Sequence, residues 1–347
     1  MMKRRIPQEL WFVVGGLVLF GALFVAEKTL NRYLLHILIL MGIYSIATVS
    51  LNLTNGYTGL FSLGHAAFMA IGAYTSTLLT FPVSLREAYD LPRLPWFLGG
   101  PNAAWSFFPA LLAGGALASC AALLIGAPVL RLRGHYLSVA SLGFMVIVVT
   151  FAKTLKSVTR GPMGISAIPL YTNVYWTFLW LFIAVYVVWR IVNSRFGRAL
   201  MALREDETAA QVLGIYPMKY KLFAFVVGAF FAGVAGGLYA HLTKAIRPFE
   251  FSFTLTFQIV VMLIVGGMGT MSGPVVGVVL LLALRYALKP LEEHLKLYGL
   301  IELIYALLLI VVMLWKPEGL VGRKRVSARG RREREEEGEW ARFSILK

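Results

Sequence analysis

Few residues in the apolar stretches of this chain could move a proton, hold a metal or attack a substrate. The only acid inside them is Glu302, near one end of the last stretch, and the only basic residue well inside one is Arg285. Ions in hydrocarbon are costly and usually functional, and a carrier driven by protons or sodium needs a carboxylate near the midplane. None is placed there, so energy for uphill transport must enter from elsewhere. His36, His65, His135 and His241 sit at the edges of apolar stretches beside small or polar residues. Zinc would need further His, Cys or carboxylate ligands close by, and no spacing supplies them. Interfacial or helix-to-helix hydrogen bonding is the expected role, with no resident metal or cofactor. Cys120 is the single cysteine and lies in an apolar run, which excludes an intramolecular disulfide and a cysteine metal cluster. There is no G-x-x-x-x-G-K-[ST] phosphate loop, and no nucleophile with a matching base, so a membrane-embedded enzyme is disfavoured.

What remains informative is a charged loop and two glycine-rich segments. In Ser194 to Ile215, Leu200 and Leu203 share one helical face and Ala210 and Leu213 the next, with Arg204, Gln211 and the acids elsewhere. Asp206 and Glu207 suit a helix N-terminus, and Gly214 with Pro217 beyond it marks a stop. Two short amphipathic helices with a bend are expected. They read equally as a peg for a groove on a soluble partner or as a surface element held to anionic lipid by Arg195, Arg198 and Arg204. The segments containing Gly56, Gly59, Ser62, Gly64 and His65, and Gly266, Gly267, Gly269 and Gly273, are either hinges of a gate or tight turns between spans.

These features are positioned by membrane spans. The chain has 347 residues, 59% hydrophobic and 14% charged, against roughly 45–50% and about 25% in soluble domains, which excludes an ordinary soluble protein. Apolar windows run over Trp11–Ala26, Tyr33–Leu51, Ala66–Phe81, Ser106–Val129, Tyr136–Phe151, Val174–Ile191, Leu222–Leu242, Phe251–Gly267, Pro274–Leu288 and Gly299–Trp315. The expected fold is all-α: a polytopic integral membrane protein of about ten transmembrane helices with both termini cytoplasmic. The eighth and ninth windows are short and could form one broken helix spanning once. Parity favours ten spans, because nine would put the ten Lys/Arg of Lys316–Lys347 outside, against the positive-inside rule. Under ten spans 21 of the 33 basic residues fall inside. The net charge of +16 then reflects topology and implies membrane lipid rather than nucleic acid. Gly228, Ala232, Gly236 and Ala240, with Ala229, Gly233 and Gly237 beside them, leave two strips of one helix nearly bare, so neighbouring helices can approach closely. No internal repeat is evident.

The run Arg195-x-Gly-Arg-Ala-Leu-x-Ala-x-Arg-Glu-x-Glu-x-Ala-Ala to Gly214 resembles the cytoplasmic loop of ATP-binding-cassette importer permeases of the branched-chain amino acid, LivM-like type. Asn52 to Tyr74, with Ser62-Leu-Gly-His-Ala-Ala-Phe, Leu130-Arg-Leu-Arg-Gly-His-Tyr-Leu-Ser, and Gly266-Gly-Met-Gly-Thr-Met-Ser-Gly-Pro match it in order. The resemblance covers about Tyr33 to Trp315. With the charge pattern, the expected organisation is a cytoplasmic N-terminus (1–9), a transmembrane permease domain (10–315) carrying the coupling loop 194–217, and a basic and acidic disordered cytoplasmic tail (316–347). The resemblance implies a second related permease, two cytoplasmic ATPase subunits that bind the ATP, an extracytoplasmic solute-binding protein, and a bacterial or archaeal plasma (inner) membrane. Coupling would fall to Arg195, Gly197, Arg198, Ala199, Arg204, Glu205, Glu207, Ala210 and Gly214, and the glycine segments become candidate pathway or gate elements. Arg86, Arg93 and Arg160 are candidate contacts for the binding protein. Two departures stand out: Pro162 and Met163 replace small polar residues, and Thr256 stands where serine is common. The other open reading is an ATP-independent channel or facilitator for small neutral solutes such as urea or amides.

Overall fold

A computed structural model of the chain describes residues 21, 23–89, 91, 105–132, 135–296 and 299–322. The first expected span up to residue 20, Arg93, and the tail from residue 323 lie outside the described residues. The principal helices are α1 (Arg32–Leu51), α2 (His65–Thr80), α3 (Phe107–Val129), α4 (His135–Thr154), α5 (Val174–Val192), α6 (Arg195–Glu205), α7 (Glu207–Val212), α8 (Pro217–Thr243), α9 (Phe253–Gly266), α10 (Gly273–Leu295) and α11 (Leu300–Trp315). The only strands among the described residues, β1 (Ile165–Ser166) and β2 (Ala245–Ile246), form one short antiparallel pair with Ile165 opposite Ile246.

Among the described residues six helices are long and apolar enough to cross a membrane: Arg32–Tyr57, Phe107–Val129, Tyr136–Thr154, Val174–Val192, Pro217–Thr243 and Gly273–Leu295. Phe253–Gly266 and Leu300–Trp315 are shorter apolar helices. At 1.5 Å per residue, the 14 residues of α9 reach about 21 Å, short of a core about 30 Å thick.

The nine apolar helices α1–α5 and α8–α11 alternate between two ends of the molecule. At one end the start of α2, the end of α3, α6 and the start of α8 meet, with Leu63 N on Ser141 Oγ at 2.8 Å and Gly126 against Leu222 and Phe225. At the opposite end His241 bonds Thr80 Oγ1 at 2.7 Å, Thr172 Oγ1 donates to Leu238 O at 2.8 Å, and β1 pairs with β2. Asn173 caps α5 there, its side chain accepting from Trp176 N at 2.9 Å, which fixes where that helix begins.

The two bare strips of α8 are used as expected. A Cβ on Gly72 of α2 would overlap the backbone of Gly233, and one on Gly236 would overlap Met69 O. Gly114 and Gly115 of α3 back onto Gly72 and Phe230, and Gly237 onto Leu111 and Ser76. The three helices therefore pack backbone to backbone, the means by which membrane helices gain dispersion contacts where lipid offers no hydrophobic drive.

One open alternative is closed and one expectation changes. The eighth and ninth windows are not one broken helix: α9 and α10 run antiparallel, with Gly266 against Gly273 and Gly277 against Met262 O. The run from Gly267, at φ +119°, to Gly269, at φ +76°, reverses the chain because glycine adopts positive φ without strain. Residues 316–322, expected within a disordered tail, are ordered. They fold back on α9, where Leu320 N donates to Val265 O at 2.9 Å and Val321 N to Gly266 O at 3.1 Å. These bonds occupy carbonyls that the end of α9 would otherwise leave unpaired.

Candidate coupling site

The two loop helices are built by their caps. Ser194 Oγ accepts from Phe196 N at 3.1 Å and Gly197 N at 3.4 Å. Asp206 Oδ1 accepts from Thr208 N at 2.8 Å and Ala209 N at 3.0 Å, which ends α6 and starts α7 as the acids at 206 and 207 suggested. A Cβ at Gly197 would overlap Val192 O, so that glycine lets α6 turn tightly off α5. Ala199, Leu200, Leu203 and Ala210 are buried against the bundle. Arg195, Arg198 and Glu205 are exposed, while Arg204 and Glu207 are half-buried. Lys221 Nζ meets Glu207 Oε2 at 2.7 Å and ties α7 to α8. Gly214 has φ +82° with open space around it.

Leu213 departs from expectation. It lies past the end of α7, off the inner face of Ala210, and is 79% exposed; Val212 is 84% and Tyr216 72% exposed. The loop thus has a buried polar-and-apolar inner side and an apolar tip facing away from the bundle.

The inner side gathers both glycine segments. Arg204 Nη1 donates to Gly56 O, and the Arg204 side chain fills the space a Cβ would need at Gly59 and at Gly269. Asn52 holds the second segment. Its Nδ2 donates to Thr270 O at 2.7 Å and its Oδ1 accepts from Gly269 N at 2.8 Å. Asn52 opens the six-residue π-helix Asn52–Tyr57 that continues α1, a wide turn frequent at functional sites. Thr270 Oγ1 in turn donates to Gly267 O at 2.9 Å and accepts from Gly273 N at 3.1 Å.

The first segment is closed by its own polar groups. Asn55 and Ser62 exchange two bonds of 3.2 Å, Nδ2 to O and N to Oδ1. His65 Nε2 pairs with Ser50 Oγ at 2.7 Å, and Ser138 Oγ donates to Phe61 O at 2.6 Å. Gly64 lies 3.0 Å from Ser141 O, measured from where its Cβ would stand. A cavity of about 490 Å³ opens between Gly59, Phe61, Leu203, Arg204, Glu207 and Lys221. The structure therefore brings the expected loop and both expected glycine segments into one cluster. Asn52, which joins them, was not singled out in the sequence; its signal is an amide ending an otherwise apolar helix, in Asn52-Leu-Thr-Asn-Gly.

The expected docking charges at the opposite end fare differently. Arg86 is 2% exposed, and its guanidinium donates to Leu78 O at 2.7 Å and Phe81 O at 3.3 Å. Burial also holds its pKa below the usual value. It caps the open carbonyls at the end of α2 and is not presented to a partner. Arg160, at φ +60°, lies 4.7 Å from the centre of the Tyr89 ring in a cation–π contact. It borders a cavity of about 480 Å³ shared with Met163, Ser166, Arg247 and Phe249. Met163 is 80% exposed there. Thr256 is buried against Met145, Oγ1 to Sδ at 3.8 Å, so that departure packs between helices of the same chain.

A family model described as branched-chain amino acid transport system / permease component matches residues 33–314. The high-affinity branched-chain amino acid transport system permease protein LivM of Escherichia coli (strain K12) is 32% identical over 84% of this chain and 70% of its own length. A probable branched-chain amino acid transport permease protein LivM of Methanocaldococcus jannaschii is 26% identical, covering 83% and 93%. The permease protein LivH of Salmonella typhimurium is 24% identical, covering 82% and 92%. No solved structure matches.

Proposed function

This chain belongs to the permease-component family of branched-chain amino acid transport systems, and on that premise we propose that it is a membrane-spanning subunit of an ATP-binding-cassette importer for branched-chain or related small amino acids. The observation that carries the reading is the ordered pair α6–α7. Its inner face is packed on the bundle, with Arg204 bonded to Gly56 O and lying against Gly269, and its apolar tip of Val212, Leu213 and Tyr216 is left uncovered. A surface element held to lipid by arginines alone has no need of such inward bonding. A peg seated in a groove on an ATPase does, because its displacement must reach the helices.

Coupling then runs through named contacts. Closure of two ATPase subunits, which bind and hydrolyse the ATP, displaces α6–α7. Arg204 carries that displacement to the backbone at Gly56, and Asn52 carries it to the turn at Gly269 and Thr270. The α1 end and the α9–α10 hairpin shift together. This chain itself performs no hydrolysis. A second related permease supplies the other half of the pathway, as the likeness to both LivM and LivH supports. An extracytoplasmic binding protein delivers the solute to the end bearing Arg160 and Arg247. The proposed topology has about ten spans in a bacterial or archaeal inner membrane, with both termini and the coupling loop cytoplasmic. The alternation of the nine described apolar helices supports it, since α1 starts and α11 ends at opposite ends.

The test is co-expression with candidate ATPase and permease partners. The chain is expected to co-purify with an ATPase, and the complex to take up leucine only with ATP and a binding protein. Leu213→Asp is expected to weaken ATPase association by about tenfold or more, given that a buried leucine is worth about 1.5–3 kcal/mol. Uptake by this chain alone, without ATP, contradicts the proposal.

A further inference from the structure

The turn at Gly267–Thr270 is gripped from a second side, by the residues that follow α11. Lys316 N donates to Val312 O at 2.7 Å, and the chain then turns twice, Gly319 N donating to Lys316 O at 2.8 Å and Gly322 N to Gly319 O at 3.3 Å. Lys316 Nζ braces these turns by donating to Leu320 O at 3.2 Å. Gly319 takes φ +81°, which glycine adopts without strain. A Cβ there would overlap Gly267 Cα and stand 2.8 Å from Ile264 O. From the other direction, a Cβ on Gly267 would stand 3.0 Å from Gly322 N and 3.1 Å from Glu318 O. With Leu320 N on Val265 O and Val321 N on Gly266 O, the contact is main chain against main chain.

The same turn receives the coupling side chains. Thr270 O and Gly269 N are bonded to Asn52, and Gly269 lies against Arg204. Residues 267–270 therefore have Asn52 and Arg204 on one side and residues 316–322 on the other. Higher up, α11 has one further fastening: Tyr305 is buried and its hydroxyl donates to Leu281 O of α10 at 2.6 Å. Among the described residues α11 packs chiefly on α9 and α10, while Leu303, Leu307, Ile310 and Leu314 are exposed. Its position is thus set by the hairpin and by the two attachments. Close-packed main chain with no room for a methyl group does not slide, so a displacement of the turn is passed to α11 and not absorbed.

We infer that residues 316–322 are a positioning element for transport: they lock α11 to the coupling turn, so that α9, α10 and α11 move as one block against α2, α3 and α8 when α6–α7 is displaced. The inference rests on the importer function proposed above and adds α11 to the part that responds to the ATPases. Gly319 and Leu320 act through the turn and not on the solute. Room for the movement lies at the opposite end of the molecule, where a cavity of about 430 Å³ separates Arg285 and Ile301 of the block from Tyr44 of α1 and Tyr239 of α8.

The experiment uses the complete complex with ATPases and binding protein in liposomes and compares Leu320→Pro, which removes the N–H that reaches Val265 O, with Leu320→Ala, which keeps it. Leu320→Pro is expected to go on hydrolysing ATP while importing about fivefold less leucine per ATP, the factor that one lost backbone hydrogen bond is worth. Leu320→Ala is expected to stay within about twofold of the unaltered chain. An unchanged ratio in a folded Leu320→Pro complex, or an equal loss in Leu320→Ala, overturns the proposal. A second measurement needs no change in residues 316–322 and holds even where Leu320→Pro fails to assemble. On a Cys120→Ser background, spin labels at Phe108→Cys and Glu302→Cys report α3 against α11, and labels at Val279→Cys and Leu307→Cys report α10 against α11, all four positions being exposed. With a non-hydrolysable ATP analogue the first distance is expected to change and the second to stay fixed. A fixed first distance or a changing second one, in a complex that imports leucine, sinks the positioning role and leaves the importer function standing. Absence of ATP-driven import by the unaltered complex sinks both.

Discussion

Two regions of this molecule are held together in opposite ways. Along α8, helices α2 and α3 touch it backbone to backbone at Gly72, Gly233, Gly236 and Gly114, with no room for a single added methyl group. At the coupling end, side chains reach across space: Arg204 joins α6 to Gly56, and Asn52, at the end of α1, joins that segment to Gly269 and Thr270. Close-packed surfaces have one arrangement and resist sliding, whereas contacts made by a few polar side chains can shift while staying paired. The seam reads as the part that moves as a block, and the polar cluster as the part that tells it to move.

Substitutions that strike one region and spare the other sharpen this contrast. The largest effect is expected for Gly72→Val, whose side chain would enter the Gly233 backbone. Overpacking costs about 1–3 kcal/mol even where a core can yield, and here the obstacle is main chain. The variant should fail to accumulate as a folded complex, read by detergent-solubilised yield and thermal unfolding. A folded and active Gly72→Val protein would break the distinction.

Asn52→Ala comes next. It removes both bonds to the Gly269–Thr270 turn and leaves a half-buried N–H and C=O unmet, at about 1 kcal/mol. Leucine uptake should fall several-fold with yield and melting temperature little changed, and a parallel loss of yield would place Asn52 with the structural seam instead. The smallest effect is expected for Lys221→Gln. The Lys221–Glu207 pair at 2.7 Å has side chains 10% and 31% exposed, and breaking it should cost about 1 kcal/mol. Proteolytic sensitivity of the 206–216 bend should rise modestly while uptake stays within about twofold.

The contrast also explains what could be read from the chain beforehand. The spacing of Gly228, Ala232, Gly236 and Ala240 announced the seam, because close approach of backbones requires small residues at a fixed interval. The caps at Ser194 and Asp206 were readable for the same local reason. The α9–α10 reversal was readable only indirectly, through charge parity, since a glycine-rich interruption by itself fits a kink or a turn until the helices on either side are seen to pack. Arg86 looked like an exposed charge because the carbonyls it caps, at Leu78 and Phe81, become available only once α2 ends there. Leu213 was assigned to the inner face by its spacing from Ala210, but α7 stops at Val212 and the helical period no longer applies. Asn52 escaped notice because its importance lies in partners more than 200 residues away.

The central claim is that Arg204 passes the motion of the docking helices to the pathway. Its most direct test is the number of leucine molecules imported per ATP hydrolysed by the reconstituted complex carrying Arg204→Ala. Losing a hydrogen bond from a charged group of about 1.5–3 kcal/mol, the variant is predicted to go on hydrolysing ATP while importing about tenfold less leucine for each molecule consumed. An unchanged ratio, with uptake and hydrolysis either both intact or falling together, would contradict the account.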